Sequence, residues 1–226
     1  MRLTYYGQSC IGIATAGKHL LFDPAINANP LAKDKVDINT IPADIVLLTH
    51  GHADHTIDAE AILRRTGATL VSNFEIVEWY AAKGITSGVH MNLGGSTAIG
   101  ELRIKYVHAI HSSQLPDGSY GGNPGGFVVS GPEGSFHHAG DTALTLDMQL
   151  LKRFDLKFAC LPIGDTFTMG IDDAVEAALL MGVKTVVGIH YDSFPPIVID
   201  HDQARAAFRQ AGITLHLPAI GASIEL

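Results

Sequence analysis

The chain predicts a mixed α/β fold that opens with antiparallel hairpins. Three observations carry this. Short strand-like segments at the start are punctuated by turns, a continuous apolar run follows at Ile45-Val46-Leu47-Leu48-Thr49, and four helical segments each end at a glycine. In order, 2–6, 10–15 and 19–23 read as strands, the last two joined at Ala16-Gly17-Lys18. The run at 45–49 has the composition of a strand buried on both faces. Helical spacing of apolar residues marks 57–66, 74–83, 172–181 and 202–211, with Gly67, Gly84, Gly182 and Gly212 placed to stop them. Strands at about 102–107, 126–130, 135–138, 157–161, 184–189 and 213–217 complete the alternation. No exact internal repeat, low-complexity segment or dividing linker is visible, so one domain over 1–226 is expected. Loops 24–41 and 112–125 are long enough to suspect a functional role.

Composition narrows the function classes. With 46% apolar residues in 226, the chain has material for a substantial core. A formal charge of −8 argues against a broad phosphate-binding surface, which makes a small molecule the expected partner rather than nucleic acid. No window approaches a membrane span, and Met1 to Cys10 contains no apolar targeting core, so a cytoplasmic protein without a membrane partner is expected. Cys10 and Cys160 lack any CxxC or disulfide framework and read as buried reduced thiols. Homo-oligomerisation is left open.

The chemistry concentrates in Leu47-Leu48-Thr49-His50-Gly51-His52-Ala53-Asp54-His55, where four metal-capable side chains follow an apolar run. Three further predicted strands lead to His111, Asp141 and His190, the edge at which α/β sheets place their sites. In an extended segment His50 and His52 project to one side, whereas the adjacent Asp54 and His55 point apart, an arrangement that suggests two metals. Imidazole and carboxylate suit zinc and equally manganese, iron or nickel, and no thiolate in the set selects zinc alone.

The ordered set His50-x-His52-x-Asp54-His55, His111, Asp141 within Ala139-Gly140-Asp141-Thr142, and His190 resembles the metallo-β-lactamase superfamily. More narrowly, that tetrapeptide and Leu161-Pro162-Ile163-Gly164-Asp165-Thr166-Phe167-Thr168-Met169-Gly170 resemble a group of bacterial and archaeal metal-dependent hydrolases neighbouring the ascorbate-6-phosphate lactonases. The resemblance implies a four-layer αβ/βα sandwich with a dinuclear site between the sheets. It assigns His50, His52 and His111 to one metal and Asp54, His55 and His190 to the other, with Asp141 bridging. Two divalent transition-metal ions per chain are implied, zinc first, with manganese, nickel or iron open. Asp54 and Asp141 are the residues it points to for catalysis. Such a pair of ions lowers the pKa of bound water from 15.7 to about 7 and supplies a bridging hydroxide at neutral pH. Loading the ions and hydroxide brings the formal charge from −8 to about −5, concentrated in the cleft, so a small anionic ester, lactone or phosphodiester is a natural substrate. A non-catalytic metal- or metabolite-binding module is the rival. One departure stands out: relatives commonly carry Gly-His-Ser where this chain has Gly7-Gln8-Ser9.

Of the 12 histidines, His19, His90, His108, His137, His138, His201 and His216 are assigned to structure. In His108-x-x-His111 the family pattern selects His111. His137 or His138 could orient a ligand near Asp141. Tyr191, Asp192 and Phe194 are candidates for pocket lining or plain packing, Asp23 for bonding backbone near the His50 loop, and Gly121 to Gly126 for a tight turn or flap.

Overall fold

In the computed structural model, which describes residues 1–226, each of two seven-stranded sheets is half antiparallel and half parallel. The first contains β1 (Arg2–Gly7), β2 (Cys10–Thr15), β3 (Lys18–Phe22), β4 (Ile45–Leu47), β5 (Thr69–Asn73), β6 (Gly88–Met91) and β14 (Ser223–Glu225), in the order β14-β1-β2-β3-β4-β5-β6. The second contains β7 (Ser96–Ile99), β8 (Leu102–His108), β9 (Gly125–Gly131), β10 (Gly134–His138), β11 (Leu156–Pro162), β12 (Thr185–Ile189) and β13 (Thr214–His216), in the order β13-β12-β11-β10-β9-β8-β7. In the first, pairing is antiparallel from β14 to β3 and parallel from β3 to β6; in the second it is antiparallel from β7 to β10 and parallel from β10 to β13. The parallel halves require crossovers, supplied by α1 (Ala53–Thr56), α2 (Ala59–Thr66) and α3 (Phe74–Ala81) on one side and by α4 (Ile171–Met181) and α5 (His201–Gln210) on the other.

Alternation along β3 shows how the layers form. Leu20 and Phe22 join the core between the sheets, while Leu21 joins a separate core with Ile62, Leu63, Ile76, Val77 and Tyr80 beneath α2 and α3. Phe22 meets Phe127 and Phe136 edge-on and stacks on His138 with centroids 4.8 Å apart, tying the central strands of the two sheets together. The predicted αβ/βα sandwich is therefore the observed one. Helix ends follow their local signals: Asn73 accepts from Ile76 N at 3.0 Å, Asp200 accepts from Asp202 N and Gln203 N, and Gly67 and Gly182 close α2 and α4 in the left-handed region.

The differences lie at the margins. The predicted helix 57–66 begins at Ala59, after a separate helical turn at Ala53–Thr56, and the two are divided where Asp58 accepts from Asn27 N and Nδ2. A 3-10 segment, Leu146–Phe154, is not anticipated by the sequence, nor are β5, β6 and β7. Of these strands β6 and β7 are sheet edges, short and partly solvated, where apolar alternation is weakest. The 45–49 strand pairs only over Ile45–Leu47, and Asp23 leaves β3 with a left-handed φ of 44°.

Candidate metal centre

All four loops that carry the candidate residues meet at one end of the cleft between the sheets. His50 lies three residues beyond β4, His111 three beyond β8, Asp141 three beyond β10, and His190 directly after β12. His50, His111 and Asp141 thus sit on loops rather than on the strand ends that the sequence suggests. Gly140 makes the approach possible. Its φ is 64°, and a Cβ there would lie 2.7 Å from Thr49, so the Asp141 loop packs directly on the residue before His50.

Three sets of side chains have mutually close donor atoms: His50, His52 and His111; Asp54, His55 and His190; and His50, His55 and Asp141. Asp141 Oδ2 lies 3.1 Å from His190 Nε2, 3.3 Å from His55 Nε2, 3.6 Å from His111 Nε2 and 3.9 Å from His50 Nε2. Two atoms each about 2.0–2.1 Å from one tetrahedral ion lie about 3.3 Å apart, so these spacings match shared ligation. Asp54 and His55 converge, at 3.6 Å, instead of pointing apart. They occupy a turn of helix, not an extended strand, so the period-two argument does not apply to them.

Neighbouring groups fix which nitrogen of each ring faces inward. Asp23 is fully buried and accepts from Thr49 N at 2.8 Å, from Thr49 Oγ1 at 2.7 Å and from His55 Nδ1 at 2.9 Å. Because the Thr49 proton goes to Asp23, its oxygen accepts from His50 Nδ1, 3.0 Å away. Both rings then carry their proton outward and turn an Nε2 lone pair toward Asp141. Ser112 Oγ lies 3.4 Å from His52 Nε2, and His52 Nδ1 faces His50 Nε2 at 3.0 Å. With the His50 Nε2 lone pair turned inward, that spacing suits a proton donated by His52 Nδ1 or a cation shared by both rings. Gln8 donates from Nε2 to Asp54 Oδ2 at 3.0 Å.

Burial opposes charge throughout the cluster, and the carboxylates overrule it selectively. His50, His52 and His111 are held below the usual imidazole range, first by burial. Burial also acts on His55 and His190, but Asp141 outweighs it, raising His55 well above the ordinary value and His190 to about 9. Burial would raise Asp54 and Asp141, yet His55 and His190 hold both carboxyls below the ordinary range. His55 Nε2 and Asp141 Oδ1 are buried without hydrogen-bond partners. The unpaired Asp141 oxygen, with the Asp54 carboxylate nearby, is the buried acceptor that a site for cations requires, and on His55 a cation would take the place of the proton that Asp141 retains there.

The remaining candidates divide clearly. His108 is 45% exposed and pairs with Asp147, away from the cluster, whereas His111 is 15% exposed and within it. His137 bonds Phe127 O, and His138 bonds Ser9 O while accepting from Gly140 N, so neither hydrogen-bonds a member of the cluster; His138 braces the turn that carries Asp141. Phe194 lines the cleft, while Tyr191 stacks on Tyr5 and Asp192 binds His201. The Gly121 turn is held by Asn73 and Ser113. Asp23, expected to bond backbone alone, also orients His55. Thr49, the Gln8 contact and the Phe167 lining were not foreseen. A buried threonine between Leu48 and His50 is the one local signal that could have pointed to Thr49.

Comparison with known proteins identifies the family. A model of the beta-lactamase superfamily domain matches residues 18–191, a span that includes every candidate residue in the cluster. A UPF0173 metal-dependent hydrolase from Christiangramia forsetii is 51% identical over 228 residues, covering 100% of both chains. Another from Methylacidiphilum infernorum is 47% identical, again over 100% of both. Among solved structures, Igni18, a metallo hydrolase from Ignicoccus hospitalis, superposes with a TM-score of 0.89 at 33% identity, covering 100% of this chain and 98% of that one.

Proposed function

This chain belongs to the UPF0173 metal-dependent hydrolases of the metallo-β-lactamase superfamily, and from that premise we propose that it hydrolyses a small ester, lactone or phosphodiester at a dinuclear metal site. The observation that carries the proposal is the position of Asp141, whose Oδ2 approaches imidazoles of two different donor sets, His190 and His55 on one side, His111 and His50 on the other. His50, His52 and His111 would hold one ion, Asp54, His55 and His190 the second, and Asp141 both. All donors are nitrogen or carboxylate oxygen, so zinc, manganese, nickel and iron each fit. When bound, such a pair supplies Lewis acidity and lowers the pKa of a water from 15.7 to about 7.

The protein's own part is orientation and proton handling. Asp23 and Thr49 lock His55 and His50 in one tautomer, and Gln8 steadies Asp54. Asp54 lines the cleft, where its carboxylate can take a proton from an attacking water, whereas Asp141 is almost wholly buried and serves to hold the two donor sets at fixed separation. Reconstitution with each candidate metal, elemental analysis, and assay against lactones, phosphodiesters and thioesters test the proposal together. Two ions per chain with turnover support it. A ceiling of one ion removes the dinuclear site, and two ions without turnover favour a metal-dependent binding module.

A further inference from the structure

The cleft in front of the cluster, about 600 Å³, falls within the range of small-molecule sites. Away from the histidines and carboxylates its wall is Phe167, Phe194, Pro196, Ala28 and Ala53, with the Ser112 hydroxyl as its one uncharged polar side chain. No lysine or arginine lines it. An anionic group on the substrate remote from the reacting bond would therefore meet aromatic rings and no side-chain counter-charge, at a cost in desolvation.

The aromatic wall is built rather than incidental. Asp165 and Thr166 both adopt left-handed backbone, φ 60° and 52°, a conformation that is strained at a non-glycine residue. Asp165 Oδ1 accepts from Thr166 N at 2.8 Å, and Thr166 Oγ1 donates to Pro196 O at 2.9 Å, so the turn bearing Phe167 is tied to the segment bearing Phe194. That segment is anchored in turn by fully buried Ile197, whose carbonyl accepts from Asp192 N. Yet Phe167 remains 54% exposed. The strain is not repaid by burying the ring in the protein's own core, and it places a large apolar face at the mouth of the cleft.

Resting on the hydrolase reading above, we propose that Phe167, Phe194 and Pro196 form a subsite for an uncharged alkyl or aryl group next to the scissile bond, with Thr166 as the residue that positions it. The substrate is then an apolar ester, thioester or lactone rather than a phosphorylated or otherwise multiply charged metabolite.

The test uses metal-loaded protein and p-nitrophenyl acetate, butyrate, hexanoate and the anionic succinyl monoester, together with benzyl alcohol binding followed by saturation-transfer NMR. The parent should gain up to about fourfold in kcat/KM per added methylene and disfavour the succinyl ester against butyrate. Phe167→Ala should flatten the series chiefly through KM, and should lose the benzyl alcohol signal. Thr166→Val should do the same in part, with Thr166→Ser restoring the slope. Should Phe167→Ala fail to fold, Phe194→Ala reads the same slope. A flat parent series, or a succinyl ester preferred over butyrate, overturns the subsite. If no ester is turned over, the hydrolase reading fails for esters and the probe decides the subsite alone: a benzyl alcohol signal lost in Phe167→Ala upholds it, and an absent or unchanged one overturns it.

Discussion

The central strands of the two sheets, β3 and β10, occupy the same fourth place in the same strand order, and each leads to a buried aspartate whose surroundings differ. Asp23, directly after β3, accepts from a backbone N–H, a hydroxyl and an imidazole, all supplied by the protein. Asp141, three residues after β10, is surrounded by imidazole Nε2 atoms, and its Oδ1 has no partner. One carboxylate is saturated and therefore acts as scaffold, while the other keeps its lone pairs available. Place in the fold does not distinguish them. The number of protein donors does.

Exchange of charge at these two positions should separate the roles most sharply. Asp141→Asn removes the negative group common to both donor sets, and bound metal per chain should fall below the parent's, with a loss of turnover beyond about 100-fold, measured after confirming metal content. Asp23→Asn should keep the parent's metal stoichiometry under saturating metal while weakening affinity by about 10- to 100-fold, because it acts through the orientation of His55. Equal metal loss in the two variants would erase the distinction between the strands.

The second sheet offers its own internal contrast in His108 and His111. His111→Ala should lower metal stoichiometry in titrations, whereas His108→Ala, half exposed beside Asp147, should leave it unchanged and shift stability by no more than about 0.5 kcal/mol. A reversed ranking would place the wrong histidine in the cluster. Smaller still is the expected effect of Gln8, the first sheet's remaining contact with the site. Gln8→Ala deletes a hydrogen bond to the charged Asp54, for a loss of about tenfold in metal affinity at the Asp54 side. Gln8→His should recover much of it, and no change in either variant would make the contact incidental.

The layout of the centre is legible in the chain because the seven residues follow strands in a fixed order, and apolar runs such as Ile45 to Leu48 announce those strands. The direction of individual side chains is less so. Asp54 and His55 converge because one turn of helix starts at Ala53, and nothing in an alternating pattern of histidines announces that turn. Phe167 is invisible for a related reason. Its motif is conspicuous, but whether an aromatic ring is buried or presented depends on the Thr166–Pro196 tie across 30 residues of sequence. The equivalence of β3 and β10 leaves no sequence repeat at all, since strand order is preserved by pairing geometry and not by residue identity.

The last contrast is again between these strands. β3 ends in Leu21-Phe22 and β10 in His137-His138, so the second sheet buries titratable rings where the first buries hydrocarbon. Burial depresses both, His137 to about 4, with Phe127 O and the neighbouring His138 as lesser influences. A depressed folded-state pKa means that the unfolded chain binds the proton first on acidification. The contribution to stability is therefore intact above about 6.5, the ordinary imidazole value, and is lost as pH falls toward 4, with a slope of up to about 1.4 kcal/mol per pH unit for each proton. Urea unfolding of metal-free protein between pH 7.5 and 4.5 measures it, and hydrogen exchange should show β9 and β10 opening before β2 and β3. His137→Phe should cost about 1 kcal/mol at neutral pH by deleting the ring's hydrogen bond to Phe127 O, yet should reduce the acid slope relative to the parent. Because the cluster histidines titrate identically in both proteins, an unchanged slope would remove His137 as the origin of the acid sensitivity.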